Sequence, residues 1–280
     1  MKLQTSPLFR VPQPEFEVKE DFHYEGKLDT WVILREVDKE TLRECLPDFV
    51  GLMPNESIPE AIRPDEDFHP VLFLCGNYHG VSPVPDIPVL PRNLNYLEAA
   101  CVIPYARGCG DEPRNYPVSL YLKDPRGVLL GWVGAINKYF ANLVMSRKGF
   151  MIDELFDFPG TPLVKLTERK RRKLGPEAKP RIDAIREVFT HPVLGSYTDS
   201  IKKSFGLKDV IEVTFVRVCE DLHYDLGNKI KATDVELYVD RKFDPPIGES
   251  GLIPGIDKDK FGAFWVQGCQ WSLHPPHLCK

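Results

Sequence analysis

The chain has no long hydrophobic run. Its longest apolar stretch, about residues 127–136 (GVLLGWVGAI), is far short of the ~18–20 residues that span a bilayer. The opening residues, MKLQTSPLFRVPQPEFEV, carry no apolar segment of secretory length, so the expectation is a cytoplasmic protein with no membrane contact. Excess positive charge is also lacking. The net charge of −5 argues against nucleic acid as a partner, because phosphate binding needs a basic surface. No Cys-x-x-Cys spacing occurs among the seven cysteines, and an odd count without that spacing reads as buried reduced thiols. There is no His-Glu-x-x-His. His274 and His277 are separated by two prolines, which prevents a helical ligand pair, so no metal is expected. The phosphate-binding loop, the dinucleotide Gly-x-Gly-x-x-Gly and the Gly-x-Ser-x-Gly nucleophile turn are missing too, which removes the usual support for ATP, NAD and serine-hydrolase chemistry.

What the chain has in excess is proline. There are 26 in 280 residues, spread from Pro7 to Pro276, against an ordinary share of ~5%. Such spacing breaks long helices and favours short strands with structured loops. Strand-like segments rich in β-formers recur: residues 28–34, 71–75, 95–105, 116–122, 210–218, 232–239 and the glycine-broken aromatic stretch 261–273,. Residues 38–46 (DKETLRECL) read as a short helix with Asp38 as N-cap, and residues 183–189 as one or two helical turns,. The four prolines of residues 81–93 make an extended loop,. The pattern predicts a mainly β protein, an antiparallel barrel or curled sheet with minor α. Residues 1–21 are an extended N-terminal segment, and 22–280 form one domain with a charged insertion at 165–181 that reads as a solvated loop or hairpin tip,.

One residue is out of place. In the twenty residues GVLLGWVGAINKYFANLVMS (127–146), Lys138 is the only charged group. One reading is a stem packed on apolar surface with the ammonium snorkelling to water. The other reading is an amine held in an apolar pocket. Desolvation disfavours the charged form of a buried lysine, and an amine so tuned attacks a ketone to form a Schiff base.

Several pieces, in order, resemble the acetoacetate decarboxylase family. Residues 31–47 (WVILREVDKETLRECLP) are similar to that family's first strand, short helix and closing proline. Tyr96-Leu97-Glu98 resembles its Tyr-x-Glu strand, and residues 116–131 (YPVSLYLKDPRGVLLG) its next strand, turn and glycine. With one residue fewer after Gly131, residues 135–141 (AINKYFA) sit where the family has Gly-Phe-Pro-Lys-Lys-Leu-Ala. The resemblance covers most of the chain from about residue 22. It implies a cone of mostly antiparallel strands around an apolar pocket, a homo-oligomer, no cofactor, and Lys138 in the place of the Schiff-base lysine. By the same match Glu98 does acid–base work. The second lysine of the family's pair is Tyr139 here, whose phenol could serve in proton transfer or simply pack in the core. The family's proline before the lysine is Asn137, its second glutamate falls near Leu74, and its N-terminal arginine falls near Lys27 and Arg35.

The resemblance implies a cofactor-free carbon–carbon lyase acting on a small carbonyl substrate, in the first instance a decarboxylase of β-keto acids. Its alternative is an aldolase, dehydratase, isomerase or cyclase of secondary metabolism working on a larger polyketide-like substrate. The candidate catalytic residues are Lys138, Glu98 and Tyr139. The candidate substrate-binding residues are Arg35, Trp132, Phe140 and Tyr96, whose aromatics suit a large apolar ligand or else fill the core. A barrel that carries an apolar ligand without chemistry is the non-enzymatic reading.

Overall fold

The computed structural model describes residues 22–280 except 86–89, 91, 109, 125, 127–137, 154–161, 197–216, 244–246, 276 and 279–280. The expected N-terminal segment 1–21, most of the expected strand 210–218, and Trp132 lie outside the described residues.

Among the described residues, sixteen strands alternate with a few short helices. In chain order they are β1 (His23–Asp38), β2 (Gly51–Leu52), β3 (Phe68–Val84), β4 (Leu94–Arg107), β5 (Arg114–Leu122), β6 (Lys138–Phe140), β7 (Asn142–Ser146) and β8 (Gly149–Asp153). They continue with β9 (Val164–Lys173), β10 (Val193–Ser196), β11 (Arg217–Glu220), β12 (Leu222–Asp225), β13 (Ile230–Val239), β14 (Gly251–Ile253), β15 (Ala263–Leu273) and β16 (His277–Leu278). The described α-helices are α1 (Lys39–Cys45) and α2 (Lys179–Val188). All the strands belong to one sheet, whose main path runs β16-β11-β10-β5-β4-β3-β1-β15-β13-β9-β8-β7. The far end, β7, returns beside β4 and β5 in the middle of the path. The sheet therefore curls into a mostly antiparallel cone without closing. None of the described helices is long and apolar enough to cross a membrane.

The long strands explain why the sequence carries continuous apolar runs rather than clean alternation. Trp31, Val32, Ile33 and Leu34 are all fully buried, so β1 is covered on both faces. Successive side chains point to opposite faces. Leu28, Val32 and Leu34 join one core with Leu72, Leu74, Tyr78, Tyr96, Leu120 and Leu122, capped by Ile182, Ile185 and Val188 of α2. Trp31 and Ile33 join a second core with Phe73, Cys75, Cys101, Tyr116, Val118 and Phe243. The first face is called inner here and the second outer.

Curvature comes from bulges. The β1–β15 register slips between Leu28 and Thr30, opposite Gly268, whose φ of 66° is open to glycine at little cost. The Gly268 N–H donates to Asp29 Oδ1 at 2.7 Å. A bulge of this kind increases local twist and bends the strand.

The short helix α1 forms as expected, with Asp38 Oδ1 accepting from the Thr41 N–H at 2.9 Å,. Three expectations change. First, the charged stretch 165–181 is not a solvated loop. Its first half is β9, paired with β13 over nine positions and with β8. Its end begins α2. Tertiary partners make this possible: Arg172 bonds Asp257 at 2.8 Å and Asp234 at 2.9 Å, Arg171 pairs with Glu168, and Arg169 pairs with Glu236. Second, the extended loop expected from residue 81 starts later, because β3 runs on to Val84 against β1. Proline is tolerated there: Pro83 faces Tyr24 near the strand end,. Third, the cysteines are not uniformly reduced. Cys45, Cys75, Cys101 and Cys269 stay outside any disulfide, but Cys219 is disulfide-bonded. Cysteines far apart in sequence are brought together by folding, which spacing alone does not show.

Candidate active site

Three neighbouring strands position the lysine. Glu98 of β4 stands opposite Leu122 of β5. On the other side of β5, the short strand β6 runs parallel, with Lys138 beside Leu120 and Phe140 beside Leu122. The Ala141 N–H continues this pairing to Leu122 O at 2.9 Å. Lys138 and Leu120 share the inner face, and so does Glu98, two residues along from Tyr96 and Ala100. The lysine stem crosses β5 diagonally. Its Nζ ends 3.5 Å from Glu98 Oε2, with only 8% of the Lys138 side chain and 5% of the Glu98 side chain exposed. Of the two sequence readings, snorkelling to water is thereby set aside.

The wall beside this pair is aromatic and phenolic. Tyr96 stacks on Tyr78 with ring centroids 5.0 Å apart, and Trp271 meets Tyr78 edge-on at 5.2 Å. The Tyr78 and Tyr224 hydroxyls are 3.0 Å apart. Burial first, and the Glu98 carboxylate second, push the Tyr78, Tyr96 and Tyr224 phenols up from their ordinary value. These groups stay protonated at neutral pH and can only act as hydrogen-bond partners there.

A further carboxyl belongs to the site and was not singled out in the sequence. Glu220, at the end of β11, has no exposed surface. Its neighbour Cys219 packs in the outer core, so strand alternation turns Glu220 to the inner face. Among the described residues neither carboxyl oxygen has a hydrogen-bond partner. Burial pushes this carboxyl well up, and the positive charge of Lys138 opposes that in part. The signal in the sequence was an acid ending an apolar β-run (VRVCE).

The other sequence candidates part company. Tyr139 alternates with Lys138 and leaves on the outer face. There it stacks on Tyr121 at 5.5 Å, which in turn meets Phe243. A side chain next to the lysine in sequence is on the wrong side of the strand to join it. Arg35 also lies on the outer side. It lines a cavity of about 1070 Å³ with Phe243, Ile247 and Glu249, and donates to Glu249 O at 3.4 Å. Neither Lys138 nor Glu98 lines that cavity. Phe140 is 44% exposed at the edge of the sheet. Tyr96 is in the site. No cluster of three or more metal-ligating side chains occurs among the described residues.

No protein-family model matches the sequence, and no curated protein does. Solved structures do match. An acetoacetate decarboxylase-like enzyme from Sphingomonas wittichii RW1 superposes with a TM-score of 0.59 over 91% of this chain and 92% of its own, at 13% identity. The acetoacetate decarboxylase of Legionella pneumophila gives 0.58 over 99% and 98%, at 12% identity. The enduracididine biosynthesis enzyme MppR, complexed with pyruvate, gives 0.54 over 92% and 90%, at 13% identity. The chain has the acetoacetate decarboxylase-like fold.

Proposed function

We propose that this protein is a divergent, cofactor-free enzyme of the acetoacetate decarboxylase type, and that Lys138 forms an imine with the ketone of a β-keto acid, which then loses CO2. The reading is carried by one observation: an amine buried on the inner face of the cone, 3.5 Å from a single carboxylate.

The steps follow from that pair. Glu98 takes a proton from the Lys138 ammonium. The freed lone pair attacks the ketone carbon, the carbinolamine hydroxyl leaves as water with a proton from a general acid that regains it in the closing hydrolysis, and an iminium is left. The bond from the substrate's α-carbon to its carboxylate breaks, and its electron pair flows into the iminium. CO2 departs and a neutral enamine remains. The enamine carbon takes the proton held by Glu98. Water then hydrolyses the iminium, releasing the ketone, and one proton from solvent restores the ammonium. The phenols of Tyr78, Tyr96 and Tyr224, protonated throughout, offer hydrogen bonds and an apolar wall to the substrate.

A second reading has specific support. A structure of MppR, with a TM-score of 0.52, is described as a complex with the condensation product of pyruvate and imidazole 4-carboxaldehyde. The same enamine can capture an aldehyde instead of a proton, which makes the reaction aldolase-like. Evolution of CO2 from acetoacetate separates the two.

The test is reductive trapping. Borohydride added with acetoacetate or acetone is expected to attach a stable alkyl group to Lys138, located by peptide mass. Lys138→Met is expected to show no such label. A wild-type protein that binds the ketone yet is never labelled is a carrier, and the imine reading is then wrong.

A further inference from the structure

The imine scheme uses one carboxylate, yet two buried carboxyl groups face the inner side of the cone. Glu220 is the unexplained one. It is fully buried, both its oxygens are without a partner among the described residues, and Lys138 is near enough for its charge to act on it. Leaving a carboxyl unpaired in such a place is costly when it is ionised and far less so when it is neutral. The described titratable groups on this face are Lys138 from β6, Glu98, Tyr96 and Tyr105 from β4, Tyr24 from β1, Tyr78 from β3, Tyr224 from β12 and Cys269 from β15. Of these, Lys138 is the one whose charge acts on Glu220.

Imine formation needs an acid of this kind. The carbinolamine hydroxyl leaves as water only if it receives a proton. An ordinary glutamic acid, with a pKa of ~4.3, is almost fully ionised at neutral pH and has no proton to give. We propose that Glu220 is the acid that protonates the departing carbinolamine hydroxyl, and that its carboxylate then serves as counter-ion to the Lys138 iminium. The assignment rests on the imine reading above.

Atoms and charges balance. At rest the site holds Lys138 ammonium, Glu98 carboxylate and Glu220 carboxylic acid. After dehydration it holds iminium, Glu98 carboxylic acid and Glu220 carboxylate. The C–O bond breaks, the oxygen leaves as water with the Glu220 proton, and the negative charge has moved from Glu98 to Glu220. Glu98 thereby keeps its proton for the enamine carbon. In the hydrolysis half, Glu220 takes a proton from the attacking water and returns to its resting form. The division works for decarboxylation and for aldol-type capture alike, since both begin with the same dehydration.

The experiment measures the rate of imine formation as cyanoborohydride trapping of acetone at Lys138, across pH, in the full-length protein. Wild type is expected to slow as pH rises and Glu220 loses its proton; burial pushes the phenols and the Cys269 thiol of this face up out of that window. Glu220→Gln copies the shape of the neutral acid but cannot give a proton. It is expected to trap about 10²-fold more slowly or worse, and to lose the alkaline fall. Glu220→Asp keeps an acid, and is expected to fall between the two with the alkaline limb retained. If both variants trap within about twofold of wild type, Glu220 is structural and the assignment is overturned. A slower Glu220→Gln with the alkaline limb intact places the proton on another group and overturns it as well. Absence of any wild-type labelling overturns the imine reading, and this assignment falls with it.

Discussion

A double-mutant cycle on Lys138 and Glu98 tests whether the amine is held dry. The two charges sit 3.5 Å apart with 8% and 5% of their side chains exposed. Coulomb's law at that distance gives about 5 kcal/mol at an effective dielectric near 20, and about 1 kcal/mol in bulk water. Desolvating both ions offsets much of the larger figure, so the pair adds little net stability. Breaking it is another matter, because one buried charge is left alone. Lys138→Met is expected to cost about 3–5 kcal/mol. Glu98→Gln is expected at the low end of that range, since Glu220 can ionise and take over as the counter-charge. The double variant removes both charges and is expected to lose less than either single change. Urea unfolding at neutral pH, followed by the fluorescence of the buried Trp31 and Trp265 pair, whose rings are 4.5 Å apart, reads all four species. The expected coupling is therefore at least about 3 kcal/mol, at the upper end of the range for residues in direct contact. Two singles each costing under about 1 kcal/mol and adding simply in the double variant would be the behaviour of a surface pair. That result would refute the reasoning about a buried amine.

Two further outcomes follow from other parts of the fold. His69 is fully buried, its Nε2 lies 2.7 Å from Pro104 O, and burial pushes its pKa down to about 4. A histidine depressed in the folded state gives stability that is present above the unfolded value of ~6.5 and lost as pH falls towards 4. Wild type should therefore lose about 3 kcal/mol over that window from this residue. In acid unfolding curves His69→Gln should lack that share; an unchanged acid slope would count against it. Gly76 faces Glu98 across the β3–β4 pairing. An added Cβ there would lie 2.6 Å from Leu28 Cδ1 and 2.8 Å from Asp29 O, so Gly76→Ala should destabilise by about 1–3 kcal/mol. A melting temperature equal to wild type would show that the β1 bulge yields to it.

Legibility followed locality. The N-cap at Asp38 and the strands around Trp31, Val71, Tyr96 and Tyr116 depend on nearby residues, and they appear where the pattern puts them. The charged stretch at 165–181 misled because its partners, Asp234, Glu236 and Asp257, lie 62 to 85 residues away in sequence. Without them a run of arginines and lysines looks solvated. Tyr139 misled for a different reason. Adjacency in sequence suggested a shared site, whereas the two-residue period of a strand sends neighbours to opposite faces.

Read alone, the chain determined that a lysine would stand without other charges in twenty largely apolar residues, and that prolines and β-formers would build a curled sheet. Composition and periodicity are properties of consecutive residues, so both could be read without coordinates. Which carboxyl groups face that lysine was decided only by the tertiary structure. Glu98 comes from 40 residues before it and Glu220 from 82 residues after it. They meet on one face because the sheet curls, and curling is a property of many long-range pairings at once.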